Sequence, residues 1–177
     1  MNYYAIQVKT RSEEKYISLF KANNPQNPFV FHFPRRYLDI RKDGKKKVTT
    51  PAVFPGYIFI EVDNKKEILE NQWNFRRTDG FLRFLRTNQD INELDSKDLE
   101  LVLHFIKSPG EIAGKSRVYF DENSRIIVAD GPLSGLEGRI IKVDKRKGRA
   151  KIKLDIYNDS FTIDLAFEVI SPLKSEG

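Results

Sequence analysis

The chain has 177 residues, with 31 Lys and Arg against 25 Asp and Glu, a net charge of +6, two His and no Cys. That length holds one ordinary domain or two small ones and excludes a large two-lobed enzyme. Without Cys there is no disulfide framework, thiolate nucleophile or Cys-ligated metal centre, and His32 and His104 are isolated in the sequence, so neither a metal nor a cofactor is expected.

Residues 1–9 lack the apolar core of a signal peptide, and the apolar stretch 52–60, broken by Pro55 and Gly56, is half the length needed to span a bilayer. A soluble, cytoplasmic chain without membrane contact is the expectation. Its basic balance points to a polyanionic partner, usually nucleic acid.

Along the first hundred residues strand and helix patterns alternate. Tyr3–Val8 reads as a strand, and Thr10 with Glu13 makes a capping-box signature ahead of Tyr16, Ile17 and Phe20 at helical spacing. Phe29–Ile40 is extended but interrupted by prolines, and the segment from Lys42 to Lys45 reads as the turn of a basic hairpin. Val53–Val62 is the strongest strand signal. Pro55 within it removes a ladder hydrogen bond, so the strand begins late, bulges or lies at an edge. Asn64 and Glu67 cap a short helix carrying Ile68, Leu69 and Trp73, and a strand follows at Phe81–Leu85. A third helix over 96–106, capped by Asp95 or Ser96, buries Leu99, Val102, Leu103 and Ile106. The whole reads as an α+β domain of helices on an antiparallel sheet.

After Ser108-Pro109-Gly110 only strands remain: 117–120, 125–129, 138–143, 150–156 and 161–165, separated by turn residues, as in a small all-β barrel. The expected organisation is a domain over 1–107, a linker over 108–116 and a barrel over 117–173. Gly110 to Ser116 superficially looks like a phosphate-binding loop, but the glycine spacing is wrong and a strand, not a helix, follows it. No Ser, His and acid grouping stands out, His32 and His104 read as structural or partner-contacting, and no enzyme is expected.

The charge is unevenly spread. Between Lys142 and Lys153, seven basic residues (Lys142, Lys145, Arg146, Lys147, Arg149, Lys151 and Lys153) stand against Asp144 alone, so one hairpin carries a net charge equal to the +6 of the whole chain. Lys151 and Lys153 share one face of their strand and Ile152 and Leu154 the other, which presents a cationic ridge suited to phosphate contacts. The bland reading is a solvated hairpin kept off other sheet edges by its charge. A second cluster comprises Arg35, Arg36, Arg41, Lys42, Lys45, Lys46 and Lys47, and a third Arg76, Arg77, Arg83 and Arg86. Phe54 and Tyr57, with Tyr4 and Phe81, form an apolar docking patch or simply fill the core; the residues leave both open.

Tyr4 to Thr10 with Glu13, then Phe54-Pro55-Gly56-Tyr57-Ile58-Phe59-Ile60, then Asp79 to Leu85, resemble in order the N-terminal (NGN) domain of NusG-type transcription factors. Asp130-Gly131-Pro132-Leu133-Ser134-Gly135-Leu136-Glu137-Gly138-Arg139-Ile140 resembles the KOW motif of their SH3-like C-terminal barrel. The resemblance implies an N-terminal domain that binds RNA polymerase through an apolar patch, here Tyr4, Phe54, Pro55, Gly56, Tyr57 and Phe81. It further implies a monomer acting in transcription elongation, termination or antitermination, with non-template DNA as a further candidate partner. Leu133 and Leu136 stand where housekeeping members usually carry aromatics. The basic segment after the motif resembles the LoaP-type specialised paralogues, which implies antitermination through a nascent RNA hairpin. The alternatives are a general NusG factor coupling polymerase to Rho or the ribosome through apolar groups near Leu133, Leu136 and Tyr157, and a ribosome-associated KOW protein.

Overall fold

The computed structural model describes residues 1–172, so Leu173, the last residue of the expected barrel, lies outside the described residues. By contacts the chain divides into two units, one of residues 1–34 and 54–106 and the other of 35–53 and 107–177.

The first unit is built on β1 (Asn2–Val8), whose buried Tyr4, Ala5, Ile6 and Val8 need cover on both faces. α1 (Glu13–Asn23) follows, and then β2 (Val30–His32). The segment after β2 belongs to the second unit: β3 (Arg35–Arg36), β4 (Leu38–Lys42) and β5 (Lys45–Thr49). The chain re-enters the first unit with β6 (Tyr57–Val62), α2 (Lys65–Glu70), α3 (Gln72–Arg77), β7 (Phe81–Phe84) and α4 (Ser96–Ile106). Its sheet has the order β2-β6-β1-β7, antiparallel throughout, with Tyr4 opposite Ile60 and Ile6 opposite Ile58. This is the α+β arrangement expected.

Helix α1 contributes Tyr16 and Phe20 to an aromatic core in which Phe20 stacks on Phe75 at 4.5 Å between centroids and Phe29 lies 5.0 Å from Phe75. The Tyr16 hydroxyl donates to the Phe75 carbonyl at 2.7 Å, and burial pushes its pKa up. The expected capping box does not form. Glu13 is buried and its Oε1 accepts the Gly56 N–H at 2.8 Å, so the carboxylate fixes a distant loop instead of its own helix start. Gly56 has φ +83°, and a Cβ there would lie 3.2 Å from the Val8 carbonyl. Strand β6 accordingly starts only after Pro55-Gly56, the late start that the proline implies.

Asn64 caps α2 as expected, its Oδ1 accepting the Glu67 N–H at 3.1 Å. The single expected helix is two, broken at Asn71, so Phe75 takes the buried position and Trp73 is left 64% exposed. Helix α4 spans the expected residues and Asp95 caps it, with Oδ1 accepting the Asp98 N–H at 2.8 Å. Its fully buried apolar face is Leu101, Val102 and Phe105, whereas Leu99, Leu103 and Ile106 are only half-buried. The expected stripe is therefore rotated by the choice of Phe105 as anchor against Phe54.

The second unit contains β8 (Ile112–Ala113) after a 3₁₀ turn at Pro109–Glu111, then β9 (Ser116–Phe120), β10 (Ile126–Asp130), β11 (Ile140–Asp144), β12 (Arg149–Ile156) and β13 (Asp159–Val169). The last five form one curled sheet ordered β10-β9-β13-β12-β11, in keeping with a KOW or SH3-like domain. β13 is longer than its sequence signal because it pairs along all of β12 and then, in parallel, with β9. The segment expected as a linker is not without structure: β8 pairs in parallel with β3, Arg35 opposite Ile112. Residues 35–53, expected within the N-terminal domain, thus share their contacts with the C-terminal residues.

Two substitutions test the Glu13–Gly56 tie. Glu13→Ala leaves a buried N–H without its acceptor and costs about 1–3 kcal/mol, and Gly56→Ala costs at least about 1 kcal/mol through the positive φ. Urea unfolding followed by far-UV circular dichroism will show midpoints lowered in both, with Glu13→Gln, which keeps an acceptor oxygen, intermediate.

Candidate nucleic-acid interface

Strands β11 and β12 pair so that Lys142 faces Lys151, Val143 faces Ala150 and Asp144 faces Arg149. The inward positions Ala150, Ile152, Leu154 and Ile156 are all buried, and Lys151 and Lys153 fall on the opposite face, as their alternation requires. Between the strands Lys145, Arg146 and Lys147 form an exposed turn. Its one acid shapes the loop: the Asp144 Oδ1 accepts the Lys147 N–H at 2.9 Å, and that bond, with nearby Lys147 and Lys142, holds the carboxyl below the usual carboxylate range. Lys145 sets its ammonium 4.1 Å from the Phe120 ring centroid, so one face of that ring is already covered. Among the described residues no carboxylate lies within ion-pair distance of Lys142, Arg146 or Lys147.

Arg149, expected in the ridge, is used differently. It is half-buried and its Nη2 donates to the Asp39 carbonyl on β4, so it fastens the β4–β5 hairpin to the sheet. Arg36 adds a second tie, with Nη1 donating to the Asp164 carbonyl at 3.1 Å, and burial lowers its pKa. Asp39 completes the joint. Its carboxylate accepts the Tyr37 hydroxyl at 2.7 Å and lies 3.2 Å from Lys115 Nζ and 3.4 Å from Lys46 Nζ. These partners, Tyr37 foremost, hold its pKa below the ordinary value. In the sequence Asp39 is simply an acid among the basic residues of the second cluster; its role depends on contacts across more than a hundred residues, as with Arg149 at a separation of 110.

The loop carrying Leu133 and Leu136 turns inward. Gly131 has φ +101°, and a Cβ there would lie 2.6 Å from the Ser116 Cα, so the two chains touch only because no side chain intervenes. Ser116 Oγ accepts the Leu133 N–H at 2.9 Å, and both leucines are buried, at 0% and 6% exposure.

The aromatic patch is mostly interior. Tyr4, Phe54, Gly56 and Tyr57 are buried, Phe81 is half-buried and Pro55 alone is exposed. The Tyr57 N–H bonds back to the Phe54 carbonyl at 3.1 Å, which folds Phe54 against Phe59 (5.2 Å) and against Phe105 of α4 (5.7 Å). Of the two readings left open for Phe54 and Tyr57, packing in the interior is the one the turn produces, because it directs both aromatics inward. His32 bonds the Glu61 carboxylate at 2.7 Å. A surface feature missed by helical spacing is Trp73, with the Arg76 guanidinium 5.2 Å from its ring; only the break at Asn71 exposes it.

A family model described as "Transcription termination factor nusG" matches residues 1–103. The Thermus thermophilus transcription termination/antitermination protein NusG is 26% identical over 136 residues, spanning 75% of this chain and 74% of that protein. The Helicobacter pylori protein of the same description is 24% identical over 171 residues, 93% of this chain and 94% of its own. Among solved structures, NusG of Thermotoga maritima superposes with a TM-score of 0.57 at 16% identity, covering 93% of each chain, a likeness of fold.

Because Asp39 titrates lower in the folded chain than when unfolded, its contribution to stability is fully present above the ordinary carboxylate range and is lost as pH falls through the lowered value. Thermal melts at pH 7 will therefore place Asp39→Asn below the parent protein, and the gap will close as the pH is taken below about 4.

Proposed function

The chain belongs to the NusG family, and from that premise we propose that it is a transcription antitermination factor. In this reading residues 1–107 dock on RNA polymerase, and the KOW domain, residues 117–173, reads a nascent RNA hairpin, as the LoaP-type paralogues do. The supporting observation is the β11–β12 turn: Lys145, Arg146 and Lys147 project into solvent, and the acid beside them is engaged in shaping the loop. Such a surface suits phosphate oxygens, with Arg146 also able to make bidentate hydrogen bonds. The relatives' descriptions as termination/antitermination proteins support the broader activity. Coupling to Rho or the ribosome through apolar loop groups has less support here, since Leu133 and Leu136 are buried.

The polymerase contact would use the exposed tip at Pro55 and the edge at Phe81, with Tyr4, Phe54, Gly56 and Tyr57 shaping the surface from beneath. The protein is proposed to act as a monomer without catalysis, and Trp73 with Arg76 offers a stacking and cationic contact for non-template DNA. Holding polymerase and RNA on one chain raises the effective concentration of each for the other, so selective loading requires neither contact to be tight.

In vitro transcription across an intrinsic terminator tests this. Read-through will rise when the upstream leader encodes an RNA hairpin, and the Lys145→Ala, Arg146→Ala, Lys147→Ala triple variant will lose that dependence while still co-purifying with polymerase. Pro55→Glu will lose polymerase binding and keep RNA binding. Equal read-through with and without the leader overturns the reading in favour of a general elongation factor.

A further inference from the structure

We propose that the β4–β5 hairpin and the β11–β12 hairpin form one bipartite site for the phosphate backbone of a folded RNA stem. This rests on the RNA reading above and adds a second ridge from a different part of the chain.

Strands β4 and β5 carry Arg41, Lys42, Lys45, Lys46 and Lys47, all exposed, around a turn whose one acid is Asp43. Their register sets Arg41 opposite Lys46 and Lys42 opposite Lys45. Like charges directly opposite across a strand pair destabilise it. Only Lys46 has a carboxylate within ion-pair distance, Asp39 at 3.4 Å; none of the described carboxylates stands so near Arg41, Lys42, Lys45 or Lys47. The β11–β12 hairpin repeats the pattern with Lys142 opposite Lys151. Like-charge pairing that costs folding free energy at three positions, on two hairpins, is what a surface shaped for a polyanion shows.

The two ridges belong to the same contact unit, and the joint between them is specific. Arg149 stands at the base of the Lys145–Gly148 turn and donates to the Asp39 carbonyl of β4. Lys115 pairs with the Asp39 carboxylate from the segment before β9, and Arg36 reaches the Asp164 carbonyl of β13. The joint is therefore made within two residues of each basic run, Arg149 from Lys147 and Asp39 from Arg41. Arg149, a binding cation by charge alone, instead holds the ridges together, and Arg36 of the second cluster joins it in that role.

The ligand class follows from what the surface lacks. Among the described residues of 35–53 and 107–172 the large exposed apolar side chains are Val48, Ile141 and Val169, while the rings of Tyr37, Tyr119, Phe120, Tyr157 and Phe161 are half-buried and none stands fully exposed as a stacking platform. Single-strand recognition depends on such rings. Two rows of Lys and Arg without a stacking platform fit a helical backbone, contacted through its phosphates.

The full chain and a fluorescein-labelled RNA hairpin with a twelve-base-pair stem provide the test, by anisotropy across a salt series. The β4–β5 variant is Lys42→Gln, Lys45→Gln, Lys47→Gln; the β11–β12 variant is Lys145→Gln, Arg146→Gln, Lys147→Gln. Each variant is expected to bind at least about tenfold more weakly and to flatten the log–log salt slope by about two to three, one phosphate per cation removed. Lys45→Glu alone, which turns the like-charge pair with Lys42 into an opposite-charge one, will weaken binding more than Lys45→Gln without lowering the melting temperature, which separates charge from folding. Parent-like affinity and slope in the β4–β5 variant, with loss in the β11–β12 variant, overturns the bipartite site and leaves the RNA reading standing. Parent-like binding in the β11–β12 variant overturns both. Equal affinity for a DNA duplex of the same sequence overturns the assignment to RNA.

Discussion

Repulsion between like charges across paired strands is the constraint around which the second unit is built. Lys142 facing Lys151, Arg41 facing Lys46 and Lys42 facing Lys45 each oppose pairing by up to about 1 kcal/mol. The opposing term is larger. Ile152, Leu154 and Ile156 on β12 and Leu165 on β13 are buried, at about 1.5–3 kcal/mol for each side chain removed from water. The sheet is thus stable enough to carry an unneutralised ridge on its outer face, and its apolar alternation is the condition for the ridge to exist. The β4–β5 hairpin has no such inner face, since Val48 is exposed and Leu38 and Ile40 are only half-buried. It depends on its ties to the larger sheet.

Those ties, and the corresponding one in the first unit, are made by carboxylates and guanidinium groups that look like surface charge in the sequence. Glu13 reaches the Gly56 N–H across 43 residues, and Asp39 gathers Tyr37, Lys46 and Lys115 while its carbonyl receives Arg149. In each case the acid accepts a backbone or hydroxyl hydrogen in place of, or in addition to, a salt bridge. Hydrogen bonds to a charged acceptor are worth more than exposed ion pairs, which contribute little. The polar joints therefore determine which segments belong together, while the apolar clusters determine how each segment is folded.

This explains what could be read from the chain. Element types and order were legible because they depend on local pattern: the alternation of Ala150 to Ile156, the Asp95 cap of α4, the Asn64 cap of α2 and the stop imposed by Pro55-Gly56 all act within a few residues. The curled sheet followed from evenly spaced short strands. What failed depends on distant contacts. The buried face of α4 is set by Phe105 meeting Phe54 and the fate of Arg149 by Asp39; the exposure of Trp73 is the local exception, set by a helix break at Asn71 that spacing alone reads through. The cationic turn was legible as charge; that Asp144 shapes it without neutralising it depends on a side-chain bond to the Lys147 N–H.

The partition between exposed cations and buried aromatics bears on the order of events in the proposed mechanism. The ridge at Lys145, Arg146 and Lys147 is presented without rearrangement, so an RNA contact can form at a rate set by electrostatic steering. Phe54 and Tyr57 are held by Phe59 and Phe105, and a partner that engaged those rings directly would first have to expose them, at about 3 kcal/mol or more for the pair. That free energy reduces the competent population more than a hundredfold. RNA already bound beside the polymerase offsets the reduction by raising the local concentration of the chain to about millimolar. The proposed contact at the exposed Pro55 tip and the half-buried edge at Phe81 avoids that cost, so polymerase docking in this reading does not itself require RNA, and the RNA contact adds selectivity through local concentration alone.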